Sequence, residues 1–184
     1  MNALDALYTR ISAPRLCEPA PDDPTLKNIY RAAFRAADHG LLKPWRFLII
    51  RGESRSRLGR LFLEANLESD PNISLEKQEN IRKKPLRAPL IIVTISSQKE
   101  HPKVPEFEQD LSAAAATQNM LIAAHAQGVG AMWRTGSMAY HSIVIQGLGL
   151  SKEEKIIGFL YLGSIDGPSK SIIEPKISDF FKVW

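Results

Sequence analysis

Apolar positions change their spacing several times along the chain, and each change marks an element. Behind Asn2, which can cap a helix with Asp5 in a near capping-box relation, Ala3, Leu4, Leu7, Tyr8 and Ile11 form a helical stripe. That helix ends between Arg10 and Arg15, because Pro14 biases the residue before it away from α geometry. After a loop from Glu18 to Pro24, Asp23 as N-cap and Pro24 at the first helical position open a second helix reaching Ala37. Its predicted buried face is Leu26, Ile29, Tyr30, Ala33, Phe34 and Ala37. The pattern breaks at Asp38-His39-Gly40 and resumes as Trp45 to Ile50, a short β-prone run that reads as a buried strand.

Charges and Leu58, Leu61, Phe62 and Ala65 predict a surface helix over Glu53 to Glu68, and Ser74 to Lys84 predicts another. With the loop at residues 68–72 they read as a mobile cover or peripheral helical hairpin. Pro89 to Ile95 is continuous enough for a central strand. A long helix from Glu106 to Gln127 carries Ala113 to Ala116 and Ala123, Ala124 and Ala126, small residues that suit a central helix or a subunit interface; it closes at Gly128. Met132 to Gly136 begins an exposed loop, Tyr140 to Leu148 is a short helix, and Lys155 to Gly163 is a third strand. Phe180, Phe181 and Trp184 make the tail from Ile172 too apolar to hang free, so it packs on its own core or reaches across to a partner subunit.

At 184 residues these elements fit one domain, 1–184, with ordinary shares of apolar (44%) and charged (24%) residues. No apolar run approaches the ~18 residues of a membrane span, and no h-region follows the N-terminus, so the cytoplasm is the expected location. The single cysteine, Cys17, excludes an internal disulfide and a cysteine-built metal site. The four histidines, His39, His101, His125 and His141, are scattered and show no H-x-x-x-H pairing, so no metal site and no metal hydrolase is expected. The 24 basic and 20 acidic residues leave a charge of +4. That excess is dispersed and not interleaved with aromatics as in a nucleic-acid surface; it suits an anionic small molecule better.

Three places carry candidate chemistry. Between Arg31 and Ile50 a helix hands over to a strand and gathers Arg35, His39, Lys43, Trp45 and Arg46, a set suited to a planar anion; alternatively His39 and Lys43 only offset a helix dipole. Arg10-x-Ser12 follows a helix C-terminus, where a phosphate has to be held by guanidinium and hydroxyl, not by the dipole; the alternative is an ordinary solvated helix end. Trp133 and Arg134 can stack on and pair with an anionic aromatic ligand, or form a surface turn with a half-buried indole.

In this order and spacing, Arg10-x-Ser12, Arg35-Ala-Ala-Asp-His39 with Pro44-Trp45-Arg46-Phe47, Arg87-Ala-Pro-Leu-Ile, Glu108-Gln109, Ala126-Gln-Gly-Val-Gly130, Trp133-Arg134-Thr135-Gly136 and Gly158-Phe-Leu-Tyr-Leu-Gly163 resemble the flavin-dependent nitroreductases, specifically small bacterial members of about this length. The resemblance spans nearly the whole chain. It implies an α+β fold with a mostly antiparallel central sheet flanked by helices, and an intertwined homodimer with FMN at the subunit interface. By that analogy Arg10, Ile11 and Ser12 contact the flavin from one subunit, Arg35 and His39 reach it from the other, and Trp133, Arg134 and Thr135 complete the pocket. The segment Ala123, Ala124, His125, Ala126, Gln127 and Gly128 corresponds to one assigned to NAD(P)H. No side chain acts as a nucleophile: the implied activity is an NAD(P)H oxidoreductase passing hydride through FMN, by a ping-pong mechanism, to a nitroaromatic, a quinone or another small acceptor. His39 is a possible hydrogen-bond donor, and a flavin carrier or sensor without turnover is the alternative. The chain departs from the family pattern at Ile11, where a second arginine is common, and at Lys43, where an amide is. The first leaves Arg134 more phosphate charge to balance; the second raises the flavin's potential.

Overall fold

The structure, a computed structural model, describes residues 1–168 and 171–184. Among these, helices and strands follow in the order α1 (Ala3–Thr9), β1 (Leu16–Cys17), α2 (Asp23–Ala33), β2 (Trp45–Arg51), α3 (Glu53–Ser69), α4 (Leu75–Lys83), β3 (Leu90–Ser97), α5 (Glu106–Ala126), β4 (Gly130–Arg134), α6 (Ser142–Gly147), β5 (Glu154–Ile165) and α7 (Ile177–Phe180). Short 3-10 turns lie at His39–Leu41, Lys84–Arg87 and Ser137–Ala139. The sheet runs β1-β5-β3-β2, with β4 also paired to β5, and every pair is antiparallel. This is the α+β fold with helices on an antiparallel sheet that the sequence implies. No helix among the described residues is long and apolar enough to cross a membrane.

Both faces of the sheet are covered, which explains the unbroken apolar run in β3. Ile91, Val93 and Ile95 point to one side, where Leu58, Phe62, Ile81 and Val144 from α3, α4 and α6 meet Phe159 and Tyr161 of β5. Leu90 and Ile92 point to the other, against Leu26 and Ile29 of α2 and Ala116, Met120, Leu121 and Ala124 of α5. The small residues of α5 let α1, α2, β3, β4 and β5 all pack on it, the central role expected of that helix. Its buried Thr117 hydroxyl donates to the Ala113 carbonyl at 3.1 Å and accepts from the Thr94 hydroxyl of β3 at 3.0 Å, so no polar group is stranded at that contact.

Several expectations change. The pair α3–α4 is no peripheral cover: it supplies Leu58, Phe62, Leu63, Ala65 and Ile81 to the core. The helices touch so closely that a Cβ on Gly59 would lie 2.2 Å from the Arg82 carbonyl oxygen. The apolar stripe Leu58, Phe62 and Ala65 faces the core, and only the charged side of the helix is at the surface. α2 is capped by Asp22, whose Oδ1 accepts from the Thr25 amide, and stops at Ala33. Asp38 ends its helical continuation by accepting from the Leu42 and Lys43 amides, 3.1 and 2.7 Å, which pulls the chain into a turn. Phe34 and Ala37 therefore face solvent.

Among the described residues strand β2 has a partner on one side only, and of the buried run expected there just Ile50 is buried. Apolar periodicity does not separate an edge strand from a central one. Met132, Trp133 and Arg134, expected in a loop, belong to strand β4; pairing with Phe159 to Tyr161 overrides their weak local pattern, and the loop begins at Thr135. In α1 it is Ala6 that is buried, while Leu4, Leu7 and Tyr8 of the expected stripe are exposed. Phe180, Phe181 and Trp184 are exposed as well, so the tail does not pack on its own core.

Candidate functional site

The loop after α1 is stitched to the end of β4. The Ala13 amide donates to the Ala131 carbonyl at 2.9 Å, and Arg134 Nη2 donates to the Pro14 carbonyl at 3.4 Å. Arg10, at the C-cap of α1, lies beside His125. Burial, and secondarily the Arg10 charge, holds that imidazole below its ordinary 6.5. Thr9 spends its one proton on the Asp5 carbonyl at 2.6 Å, so at 2.9 Å its hydroxyl accepts from His125 Nε2–H. Among the described residues two guanidinium nitrogens are buried with no partner, Arg10 Nη1 and Arg134 Nε. Buried cationic donors left unmatched are costly, and an anion beside either would relieve that cost.

A chain of hollows runs from Arg134 to the loop after α1. Trp133, Arg134, Thr135 and Tyr161 line a cavity of about 410 Å³ together with Phe62, Lys84, Arg87, Ser137, Met138 and Phe159. Arg87 also borders a hollow of about 330 Å³ with Pro14, Arg15, Leu16 and Asp166. Pro14, Arg15 and Asp166 continue into a third, of about 190 Å³, that includes Ile11 and Ser12. Ile11, Ser12, Trp133, Arg134 and Thr135 are thereby brought along one surface. Arg134 sits 5.5 Å from the Tyr161 ring centroid, a cation–π contact, and burial pushes the Tyr161 phenol up to about 12, so it remains a donor at neutral pH. Trp133 donates Nε1–H to the Ile157 carbonyl at 3.3 Å.

That indole rests on Gly158, where an added Cβ would fall 2.0 Å from Trp133 Nε1 and 3.0 Å from the Arg134 carbonyl oxygen. Gly158→Ala is expected to expel the indole from its seat and to cost about 1–3 kcal/mol of overpacking. Near-UV circular dichroism and a urea midpoint test this; an unchanged aromatic spectrum counts against it.

Arg35 lies elsewhere. With Phe34, Asp38, Leu41, Lys43, Trp45 and Phe47 it lines a separate cavity of about 640 Å³ that shares no lining residue with those hollows. The adjoining turn puts Gly40, Leu41 and Lys43 at φ of 74°, 54° and 49°, a left-handed path that the two Asp38 hydrogen bonds hold in place. His39 Nδ1 donates to Glu108 Oε2 at 2.6 Å, which fixes its ring on the first turn of α5. Arg46, grouped with these residues in the sequence, is turned away: its Nε and Nη2 grip the Glu154 carboxylate at 2.5 and 2.6 Å.

The segment from Ala123 to Gly128 is the C-terminal end of α5 and its exit. Ala124 is in the core, and Ala123 and Ala126 are half-buried. Gln127 accepts from Asn28 Nδ2 and donates to the Ala123 carbonyl, both at 2.9 Å; Gly128 turns the chain at φ 75°. These contacts tie α5 to α2, and a helix C-terminus disfavours anions. Sequence reasoning did not single out Lys84 or Tyr161, and used Arg87 only as the start of a strand motif. The one signal it offered was three basic residues, Lys83, Lys84 and Arg87, just before the central strand. Among the described residues no three His, Cys, Asp or Glu side chains gather as a metal site.

The family model "Nitroreductase family" matches residues 17–164. Over 165 residues, 89% of this chain and 88% of the relative, the sequence is 41% identical to "Putative NAD(P)H nitroreductase YdjA" of Escherichia coli strain K12. It is 35% identical over 183 residues, 97% and 96% of the two chains, to a Haemophilus influenzae protein bearing the same description without the gene name. Among solved structures, a nitroreductase-like family protein from Bacillus cereus superposes with a TM-score of 0.84 at 21% identity, covering 100% of this chain and 96% of that one. A nitroreductase with bound FMN from Bacteroides fragilis gives 0.75 at 18% identity, covering 100% of both. At such identities the structural matches speak for the fold.

Proposed function

This chain belongs to the nitroreductase family, and from that premise we propose that it is an FMN-dependent NAD(P)H oxidoreductase acting as a homodimer, with a nitroaromatic, a quinone or another small molecule as acceptor. The observation that carries the reading is the run of hollows from Trp133, Arg134 and Thr135 to Ile11 and Ser12, where the buried, unmatched Arg134 Nε and flanking aromatics suit a phosphorylated planar ligand. FMN is such a ligand: a dianionic phosphate on an apolar tricyclic ring. The related proteins named NAD(P)H nitroreductases and the FMN-bound structure of the same fold support the choice.

When bound, FMN supplies the redox chemistry, accepting hydride from the nicotinamide and yielding electrons to the second substrate. The protein's part is to bind, orient and shield. Arg10 and Arg134 balance phosphate charge, and the Ser12 hydroxyl adds a hydrogen bond; Ile11 gives the first site no second cation. Trp133 would offer the ring an aromatic wall and Thr135 a hydroxyl.

Arg35 and His39 line a different part of the same chain, so in this reading Arg35 of the partner subunit and the partner's His39 close the site across a two-fold axis. With its Nδ1–H committed to Glu108, His39 offers the opposite nitrogen to the ligand. Lys43, in the cavity with Arg35, would add positive charge to whatever part of the flavin that cavity holds. The packed α5 exit gives little support to nucleotide binding at Ala123 to Gly128, and the open run of hollows is the better place for the nicotinamide.

The test is direct. Purified protein is expected to be yellow and to bleach when NADH or NADPH is added anaerobically, with parallel double-reciprocal plots at varied acceptor. A yellow protein that resists bleaching is instead a carrier or sensor, and a colourless protein that refuses FMN ends the proposal.

A further inference from the structure

The cavity under Trp133 is electrically one-sided. Lys84, Arg87 and Arg134 line it and no carboxylate does. Among the described residues neither Lys84 nor Arg87 enters an ion pair, and Arg134 Nε is buried without a partner. Lys84 and Arg87 bracket one short 3-10 turn whose Pro85 is buried, so both cations are carried on an anchored piece of backbone. The remaining polar side chains, Thr135, Ser137 and Tyr161, have hydroxyls that can donate, and the Tyr161 phenol stays protonated. Three cations facing a half-enclosed space repel one another unless an anion joins them. A single carboxylate leaves two of the three charges unbalanced, whereas a phosphate dianion suits a guanidinium fork beside an ammonium point charge.

We propose that Lys84 and Arg87, with Arg134, form a subsite for a phosphomonoester dianion, either the terminal phosphate of FMN or the ribose phosphate of NADPH. Neither Lys84 nor Arg87 is among the positions that the family resemblance implies at the flavin. The proposal rests on the flavoenzyme reading above. At about 410 Å³ the cavity holds more than the phosphate, and Phe62, Met138 and Phe159 give the rest of the ligand an apolar wall.

The test compares phosphorylated and unphosphorylated partners of the same shape. Dissociation constants for FMN and riboflavin are measured on apoprotein, and KM for NADPH and NADH on FMN-saturated enzyme. The panel is wild type, Lys84→Met, Arg87→Met, the double variant, the charge-retaining Arg87→Lys, and Lys83→Met as an exposed control outside the cavity. The double variant is expected to lose about 30-fold or more of one preference, FMN over riboflavin or NADPH over NADH. Which ratio falls identifies the phosphate; Arg87→Lys keeps most of the preference and Lys83→Met all of it. The proposal is overturned if both ratios stay within about twofold of wild type, or if phosphorylated and unphosphorylated partners weaken equally. Should wild type bind neither flavin, the flavoenzyme reading fails on its own. The subsite is then judged by whether inorganic phosphate raises the melting temperature of wild type and not of the double variant.

Discussion

A chain ending at Pro168 is expected to fold, to run as a monomer on gel filtration, and to emerge from desalting without FMN. In the whole chain Ile173, Phe181 and Trp184 are 87%, 76% and 116% exposed, and Ile177, Phe180 and Val183 join them. Leu4, Leu7 and Tyr8 leave a second apolar face open on α1. Burying one large apolar side chain is worth about 1.5–3 kcal/mol, so six from the tail represent on the order of 10 kcal/mol before ordering costs are subtracted. Even a surplus of about 4 kcal/mol weakens dimerisation roughly a thousandfold when it is lost. The folded body keeps both cores, to which none of the tail's described residues contributes. A truncated protein that stays dimeric and yellow would remove the tail from the interface and from the proposed site.

Glu154→Gln is expected to lower stability at pH 7 by up to about 3 kcal/mol, read as a drop in urea midpoint. The Glu154 side chain is 10% exposed, gripped by two Arg46 nitrogens and the Ser151 amide, and the bonds to Arg46 bring its pKa down from 4.5 to about 2. A carboxyl depressed in the folded state contributes stability that is complete above its unfolded value and fades as protons compete. The wild-type midpoint therefore carries this contribution in full above pH 4.5 and loses it between pH 4.5 and 2; the variant lacks that part of the acid slope. Equal acid slopes in the two proteins would show that the pair contributes no net stability. Arg46→Met strands the carboxylate instead, and is expected to be at least as damaging at pH 7 and milder near pH 3.

How far the sequence could be read depended on how local the cause was. Asn2, Ser74 and Gly128 act within their own turns, and the ends they mark are where the pattern put them. β3 and α5 announce themselves by length and uniformity. By contrast, whether Trp45 to Ile50 is central or at an edge depends on which strand lies alongside, and the strand character of Met132 to Arg134 exists only because β5 pairs with it. The two-residue β1 has no pattern at all. For the site, Arg10, Ser12, Trp133 and Arg134 were accessible through motif order, whereas Arg46 was drawn in by proximity in sequence and is held 108 residues away by Glu154. Beyond the basic run before β3, Lys84 and Arg87 carry no local signal of their own; only the packing of α3 and α4 on the sheet turns them toward a cavity.

Strand β5 pairs with β1 at Leu16↔Ile165 and Cys17↔Ser164, with β3 along Leu90↔Leu162 to Ser97↔Glu154, and with β4. The first and last strands of the sheet are thus neighbours across nearly the full polypeptide, a high contact order that slows folding. During synthesis the loop bearing Arg10 and Ser12 leaves the ribosome early, yet its partners Ala131 and Arg134 lie on β4, which in turn pairs with β5. Assembly of that corner is therefore a late event, and the nascent protein spends most of its synthesis with Arg10 and Arg134 still apart.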